Sequence, residues 1–246
     1  MKYELFVARR YLRPKRSELF VSLTTMLTTL GVTLGVAALI IVLSGMNGFA
    51  GEILRHLIGM NAHLWVQSQT GSLADSRGIE EKIKQIPGVV GVSPTIYEET
   101  LIANPSVAQT GAQIKGVDTL TIGDVSNIVR LFKEDSVNCT GRFFLGRDSA
   151  NAEPGIVLGW QLAGKLQVFV GDRVYVVIPP KGPVNPMMVV QPRFAPFRVT
   201  GVFDSGFYEF DATLAVMDIH EAQRLFDYGT SVGAVEVKLR DAFMAD

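Results

Sequence analysis

The chain has 246 residues, 23 Lys and Arg against 24 Asp and Glu for a net charge of −1, and 48% apolar residues. This balance excludes the basic excess of a nucleic-acid binder and allows one large core or two small ones. The single cysteine, Cys139, excludes an internal disulfide.

At the start, Leu5, Phe6, Val7, Tyr11 and Leu12 alternate with Lys2, Arg9, Arg10, Arg13, Lys15 and Arg16. Residues 1–18 therefore read as an amphipathic segment lying on the cytoplasmic membrane surface, or as a solvated tail, with Pro14 ending any helix. From Leu19 to Gly51 no side chain is charged, and the centre reads LGVTLGVAALIIVLSGM. About 20 apolar residues cross a bilayer, so residues 19–51 are expected to form a transmembrane helix. A cleaved signal peptide is the competing reading, but its apolar region spans only about 7–15 residues. The basic residues before the span place the N-terminus in the cytoplasm and the remainder outside. Within the span, Gly31 and Gly35 form a G-x-x-x-G at which another helix can approach closely.

Residues 52–115 read as the first part of an α/β domain. Glu52 to Ile58 continues a helical pattern that Gly59 stops. A strand at His63–Gln67, a helix near Arg77–Ile86, a Pro87-Gly88 turn, and strands at Val89–Val92 and Tyr97–Ala103 follow. Residues 116–205 read as an inserted β-rich subdomain with a helix at Val125–Phe132 and a clear strand at Asp172–Ile178. Residues 206–246 return to the α/β pattern. They hold strands at Thr213–Met217 and Ala234–Leu239, a helix at Ile219–Tyr228 capped by Asp218, and a helical first turn after Asp241.

Two stretches of the inserted region bear on function. GWQLAGKL, Gly159 to Leu166, lies one residue from the phosphate-binding pattern G-x-x-x-x-G-K-[ST]. Leu166 replaces the metal-holding hydroxyl, and the apolar spacing Leu158, Leu162, Leu166 indicates a short helix between strands instead. PPKGPVNPMMVVQPRFAP, residues 179–196, is too rich in proline for a helix or central strand. It is expected to project as a loop or hairpin carrying Met187, Met188, Val189 and Val190, which either meet a partner or fold down onto their own domain.

ARRYLRPKRSELFVSLTT followed by LGVTLGVAALIIVLSGMNGF resembles the start of the lipoprotein-releasing permeases of the LolC and LolE family of Gram-negative bacteria. The likeness continues through IPGVVGVSPTIYEETLI, GIVLGWQLAGKLQVFVGDRVYVVIPP and GFYEFDATLAVMDIHEAQRLF, in the family's order and over nearly the whole chain. It implies an inner-membrane permease with an N-terminal transmembrane helix and a periplasmic MacB-like α/β domain. It also implies a separate cytoplasmic ABC ATPase, a second permease subunit (identical or different), a periplasmic lipoprotein chaperone as partner and lipoproteins as cargo. No catalytic residue, cofactor or metal is implied for this chain.

Two sites follow from the resemblance by position. The 179–196 loop matches the family's chaperone-seizing hook, making Pro186, Met187, Met188, Val189, Val190, Gln191, Pro192 and Arg193 the chaperone-binding residues. Met188 stands where many relatives are expected to have glycine, which leaves LolC-type, LolE-type and hybrid open. The family's first membrane helix lines an acyl-chain cavity, and Leu39, Val42, Leu43 and Met46 form a stripe here that faces that cavity, bulk lipid or another helix. The alternative function is that of the related MacB- and FtsX-like permeases, which export drugs or peptides or activate cell-wall hydrolases by mechanical signalling. The resemblance also implies that the chain continues past Asp246 into a longer helix, another strand and three more membrane helices.

Overall fold

The computed structural model describes residues 2–11, 19–60, 62–69, 71–132, 139–147, 153–178 and 192–241. They fall into two compact units, Met1–His56 and Leu57–Asp246. The first holds helix α1 (Lys2–Tyr11) and most of α2 (Leu19–Met60), a single helix of 42 residues. The helical turns expected after Glu52 are thus the end of α2.

The second unit follows the alternation of short apolar strands and amphipathic helices. Its elements are β1 (Leu64–Gln67), α3 (Ser76–Lys84), β2 (Val89–Asn104), β3 (Ala108–Val117), α4 (Ile122–Val125) and α5 (Ile128–Leu131). Then come β4 (Thr140–Gly141), β5 (Gly155–Gly159), α6 (Trp160–Leu166), β6 (Arg173–Ile178) and β7 (Arg193–Phe203). The last are α7 (Tyr208–Thr213), β8 (Leu214–Asp218), α8 (Ile219–Leu225) and β9 (Ala234–Leu239). One sheet joins all nine strands in the order β1-β9-β2-β3-β8-β5-β7-β4, with β6 bridging β2 and β7.

That bridge closes a ring. β2 pairs β3, β3 pairs β8, β8 pairs β5, β5 pairs β7, β7 pairs β6, and β6 returns to β2 at Leu101–Ala103. All six strands give alternate residues to one core, among them Ile102, Ile114, Ile156, Val176, Phe197 and Met217, and α6 adds Leu162 and Leu166. The other face of β3, β5 and β8 carries a smaller cluster around Val117, Val157 and Val216, covered by Ile122, Val125 and Ile128. Of the strands from the stretch 116–205, β5 pairs β8 and β6 pairs β2 outside it, while β4 and β7 pair only within it.

Several expectations are corrected. The strands at 89–92 and 97–103 are one strand, β2, which continues through Pro94 because Pro94 pairs with Val235 of β9 alone and the β3 ladder begins only at Thr95. The helix expected at 125–132 is two single turns, because Ser126 is extended (φ −128°, ψ 146°) and its Oγ accepts the Ile128 N–H. The helix expected at 219–228 ends at Leu225. Strand β3 and helix α7 are additions. AQTGAQIKGV has few β-formers, and its pairing with β2 and β8 holds it extended. The helical turn expected after Asp241 lies outside the described residues.

The cap at Asp218 forms as expected, with Oδ1 accepting the His220 N–H at 2.8 Å. Asp218→Ala is expected to cost about 1 kcal/mol. In thermal unfolding this should appear as a midpoint lowered by roughly 2–4 °C.

Candidate functional site

Strand β6, RVYVVI, alternates so that Val174, Val176 and Ile178 enter the core. It pairs antiparallel with β7 from Arg173/Arg198 to Ile178/Arg193. Ile178 and Arg193 therefore lie one strand spacing apart, about 5 Å, at the base of a hairpin, and residues 193–196, expected in the loop, are instead the start of β7, where Pro196 pairs with Tyr175. Of the expected chaperone-binding residues, Pro186, Met187, Met188, Val189, Val190 and Gln191 lie outside the described residues. Pro192 and Arg193 are described, and both are exposed. The Arg193 guanidinium stands 3.7 Å from Asp227 Oδ2, with both side chains more than half exposed. Such a pair contributes roughly 0–1 kcal/mol and leaves the cation accessible to a partner.

Beside this base the ring carries an apolar row. Leu101 of β2, Val177 of β6 and Phe194 of β7 are register partners in turn, and Leu101 and Phe194 are 42% and 57% exposed. The Thr100 hydroxyl donates to the Val177 carbonyl and ties β2 to the hairpin. On the hairpin's other side, an open cleft of about 450 Å³ is lined by Ile178, Arg193, Phe197, Arg147, Glu221 and Arg224. Glu221 there accepts from Arg147 and pairs with Arg224.

The GWQLAGKL stretch is a packing device. Gly159 ends β5 and precedes α6, and a Cβ on it would lie 2.4 Å from the Asp211 carbonyl oxygen. Lys165 donates to the Ala212 carbonyl at 3.3 Å, and Leu166 is fully buried. The glycine is needed for close approach to α7, and the lysine is engaged where a nucleotide would require it.

In the first unit, Leu23–Phe49 forms 27 helical residues with none buried and an 18-residue window of mean hydropathy 2.4, long and apolar enough to cross a membrane. The threonine hydroxyls are satisfied internally: Thr28, Thr29 and Thr33 each donate to the carbonyl four residues back. At 3.6 residues per turn, unbroken α2 brings Gly31, Gly35, Leu39, Val42, Leu43 and Met46 within one arc of about 120°. Leu39, Val42, Leu43 and Met46 are exposed, and nothing lies within 4 Å of a Cβ built on either glycine. The stripe and the glycine pair thus share one face. Among the described residues, no group of three or more His, Cys, Asp or Glu could hold a metal ion.

The family model for the MacB-like periplasmic core domain matches residues 25–246. The chain belongs to that family. A MacB-like core of mixed helices and sheet after an N-terminal apolar helix is the arrangement found here. Among sequence relatives, the lipoprotein-releasing system transmembrane protein LolC of Neisseria meningitidis is 33% identical over 97% of this chain and 54% of its own length. The corresponding LolE of Haemophilus influenzae is 28% identical over 100% of this chain and 57% of its own length. The chain thus spans about half the length of the curated relatives it matches. Among solved structures, the extracellular domain of the ABC-type transporter YknZ from Gram-positive bacteria overlays with a TM-score of 0.46 at 14% identity, covering 73% of this chain and 83% of that one.

In this MacB-like core, the sequence reading missed Leu101 and Phe194. Leu101 looks like an ordinary strand residue and Phe194 falls in the expected loop, and only the register between β2, β6 and β7 brings them to either side of Val177. Arg147 was missed for the same reason, since it meets Glu221 across 74 residues of sequence. The alternation of β6 did signal which face Val177 takes.

Proposed function

We propose that the chain is a permease subunit of an ATP-driven transporter that extracts lipoproteins from the outer leaflet of the bacterial inner membrane and passes them to a periplasmic chaperone. The observation that carries this reading is the hairpin base at Ile178/Arg193, from which a proline-rich, methionine-bearing segment leaves beside exposed Leu101 and Phe194. Exposed apolar residues on a projection are suited to capturing a partner, and methionine adapts to its shape. The names of the two relatives supply the cargo class.

In this reading α2 crosses the inner membrane with its basic N-terminal side in the cytoplasm, and Leu57–Asp246 lies in the periplasm. Pro186 to Arg193 seize the chaperone. Leu39, Val42, Leu43 and Met46 touch lipoprotein acyl chains, while Gly31 and Gly35 admit a neighbouring helix. ATP is hydrolysed by a separate cytoplasmic subunit, and a second permease subunit, identical or different, completes the assembly. A MacB-like core is also compatible with drug or peptide export or hydrolase activation, but the lipoprotein-releasing relatives favour release.

The test is capture. Affinity-tagged chain in detergent is mixed with the purified periplasmic lipoprotein chaperone of the same bacterium. Retention is expected, weakened about threefold by Arg193→Ala as an exposed charge is lost. No retention, with the chain correctly folded, would overturn the chaperone-recruiting reading in favour of mechanical signalling.

A further inference from the structure

On the sheet face opposite α3, α6 and α8, a cavity of about 130 Å³ lies against β1, β2, β3 and β8. Trp65 of β1 stacks on Tyr97 of β2 with ring centroids 4.6 Å apart, and the two rings form one wall. Val117, Ile128, Phe210, Leu214 and Val216 supply most of the rest. Lys115 of β3 also lines the cavity, although its side chain is only 4% exposed.

The polar groups here are incompletely matched. Lys115 Nζ donates to Glu236 Oε1 at 2.7 Å, and the Tyr97 hydroxyl donates to the same oxygen at 3.1 Å. Glu236, on β9 opposite Trp65, is fully buried, and its Oε2 has no hydrogen-bond partner. Lys115 has three N–H donors, of which Glu236 Oε1 takes one. Glu236 does not line the cavity, so the polar group of the pair that a ligand meets there is the Lys115 ammonium.

Charge and size define what fits. Lys115 and Glu236 together are neutral, so an ionic ligand would bring an uncompensated charge into the interior. A neutral group that accepts a hydrogen bond, a hydroxyl or a primary amide, matches a spare ammonium N–H of Lys115, the member of the pair that lines the cavity. The apolar, aromatic wall calls for a ring or short hydrocarbon body beside it, and a cavity of about 150 Å³ accepts a benzene ring. The geometry points to a binding site for a neutral aromatic or short apolar group bearing a hydroxyl or primary amide. Either a free small molecule or a polypeptide side chain such as tyrosine could supply that chemistry. The site is a property of the folded domain and does not depend on the lipoprotein reading.

Trp65 and Trp160 are the only tryptophans, so Trp160→Phe leaves Trp65 as the reporter. Trp65 emission of this full chain in detergent is titrated with phenol, benzamide, toluene and N-acetyltyrosinamide, free concentrations being fixed by dialysis. Saturable binding of phenol and benzamide is expected, with toluene at least tenfold weaker. Lys115→Met with Glu236→Leu should invert the order, so that toluene binds as well as phenol or better. Val216→Phe, which fills the cavity and keeps the ion pair, should abolish binding and serves as the second variant if the first misfolds. N-acetyltyrosinamide within tenfold of phenol identifies a polypeptide side chain as the source; its failure while phenol binds identifies a free molecule. A linear, non-saturating response, equal affinities for phenol and toluene, or unchanged phenol binding in Val216→Phe would overturn the assignment.

Discussion

Replacing Met187 and Val189 together by aspartate is expected to abolish capture of the periplasmic chaperone while leaving the fold intact. Apolar anchors in an interface are each worth about 2 kcal/mol or more, and a carboxylate in such a position would be desolvated without a counter-ion. Two lost anchors correspond to roughly a thousandfold fall in affinity, read by the same retention assay or by crosslinking. The fold should survive, because the hairpin base is held by the six-residue register between β6 and β7 and by core residues Val174, Val176 and Phe197. An unchanged thermal midpoint would confirm that. Undiminished crosslinking in the double variant would show that the loop is not the capturing element.

A large stability effect is expected at Lys115 and Glu236. Their side chains are 4% and 0% exposed, and the 2.7 Å bond between them spans β3 and β9 across the intervening β2. Lys115→Ala leaves a buried carboxylate whose remaining described partner is the Tyr97 hydroxyl. Breaking such a pair on one side costs about 3–5 kcal/mol, whereas replacing both partners by apolar residues is often neutral or better. Lys115→Ala and Glu236→Ala should therefore each lower the unfolding midpoint by roughly 10 °C, and Lys115→Met with Glu236→Leu should recover most of the loss. Equal destabilisation by the double and single variants would mean that packing, and not the unpaired charge, is responsible. Tyr97 reports the same environment: burial first, and then the Glu236 carboxylate, push its ionisation well above that of an ordinary tyrosine.

The sequence alone determined what depends on neighbours a few residues apart. The uncharged run from Leu19 to Gly51 specified a continuous apolar helix, because backbone groups in such a run must bond within the helix whatever surrounds it. Strand β9, the cap at Asp218 and the short helix in GWQLAGKL were likewise legible from alternation, capping chemistry and spacing. The proline-rich stretch misled at its end, because Arg193 to Pro196 are held extended in β7 by pairing with β6 in spite of Pro196. Only the tertiary structure decided what depends on pairing between distant segments. Strand β3 is extended because β2 and β8 supply its ladder, not because Gly, Gln and Ala favour strands. The Thr100–Val177 bond at the closure of the ring and the burial of Lys115 against Glu236 join residues 77 and 121 positions apart. No local pattern encodes such a contact, because β-propensity sets only a preference for extended chain, and register is settled by which faces can be buried together.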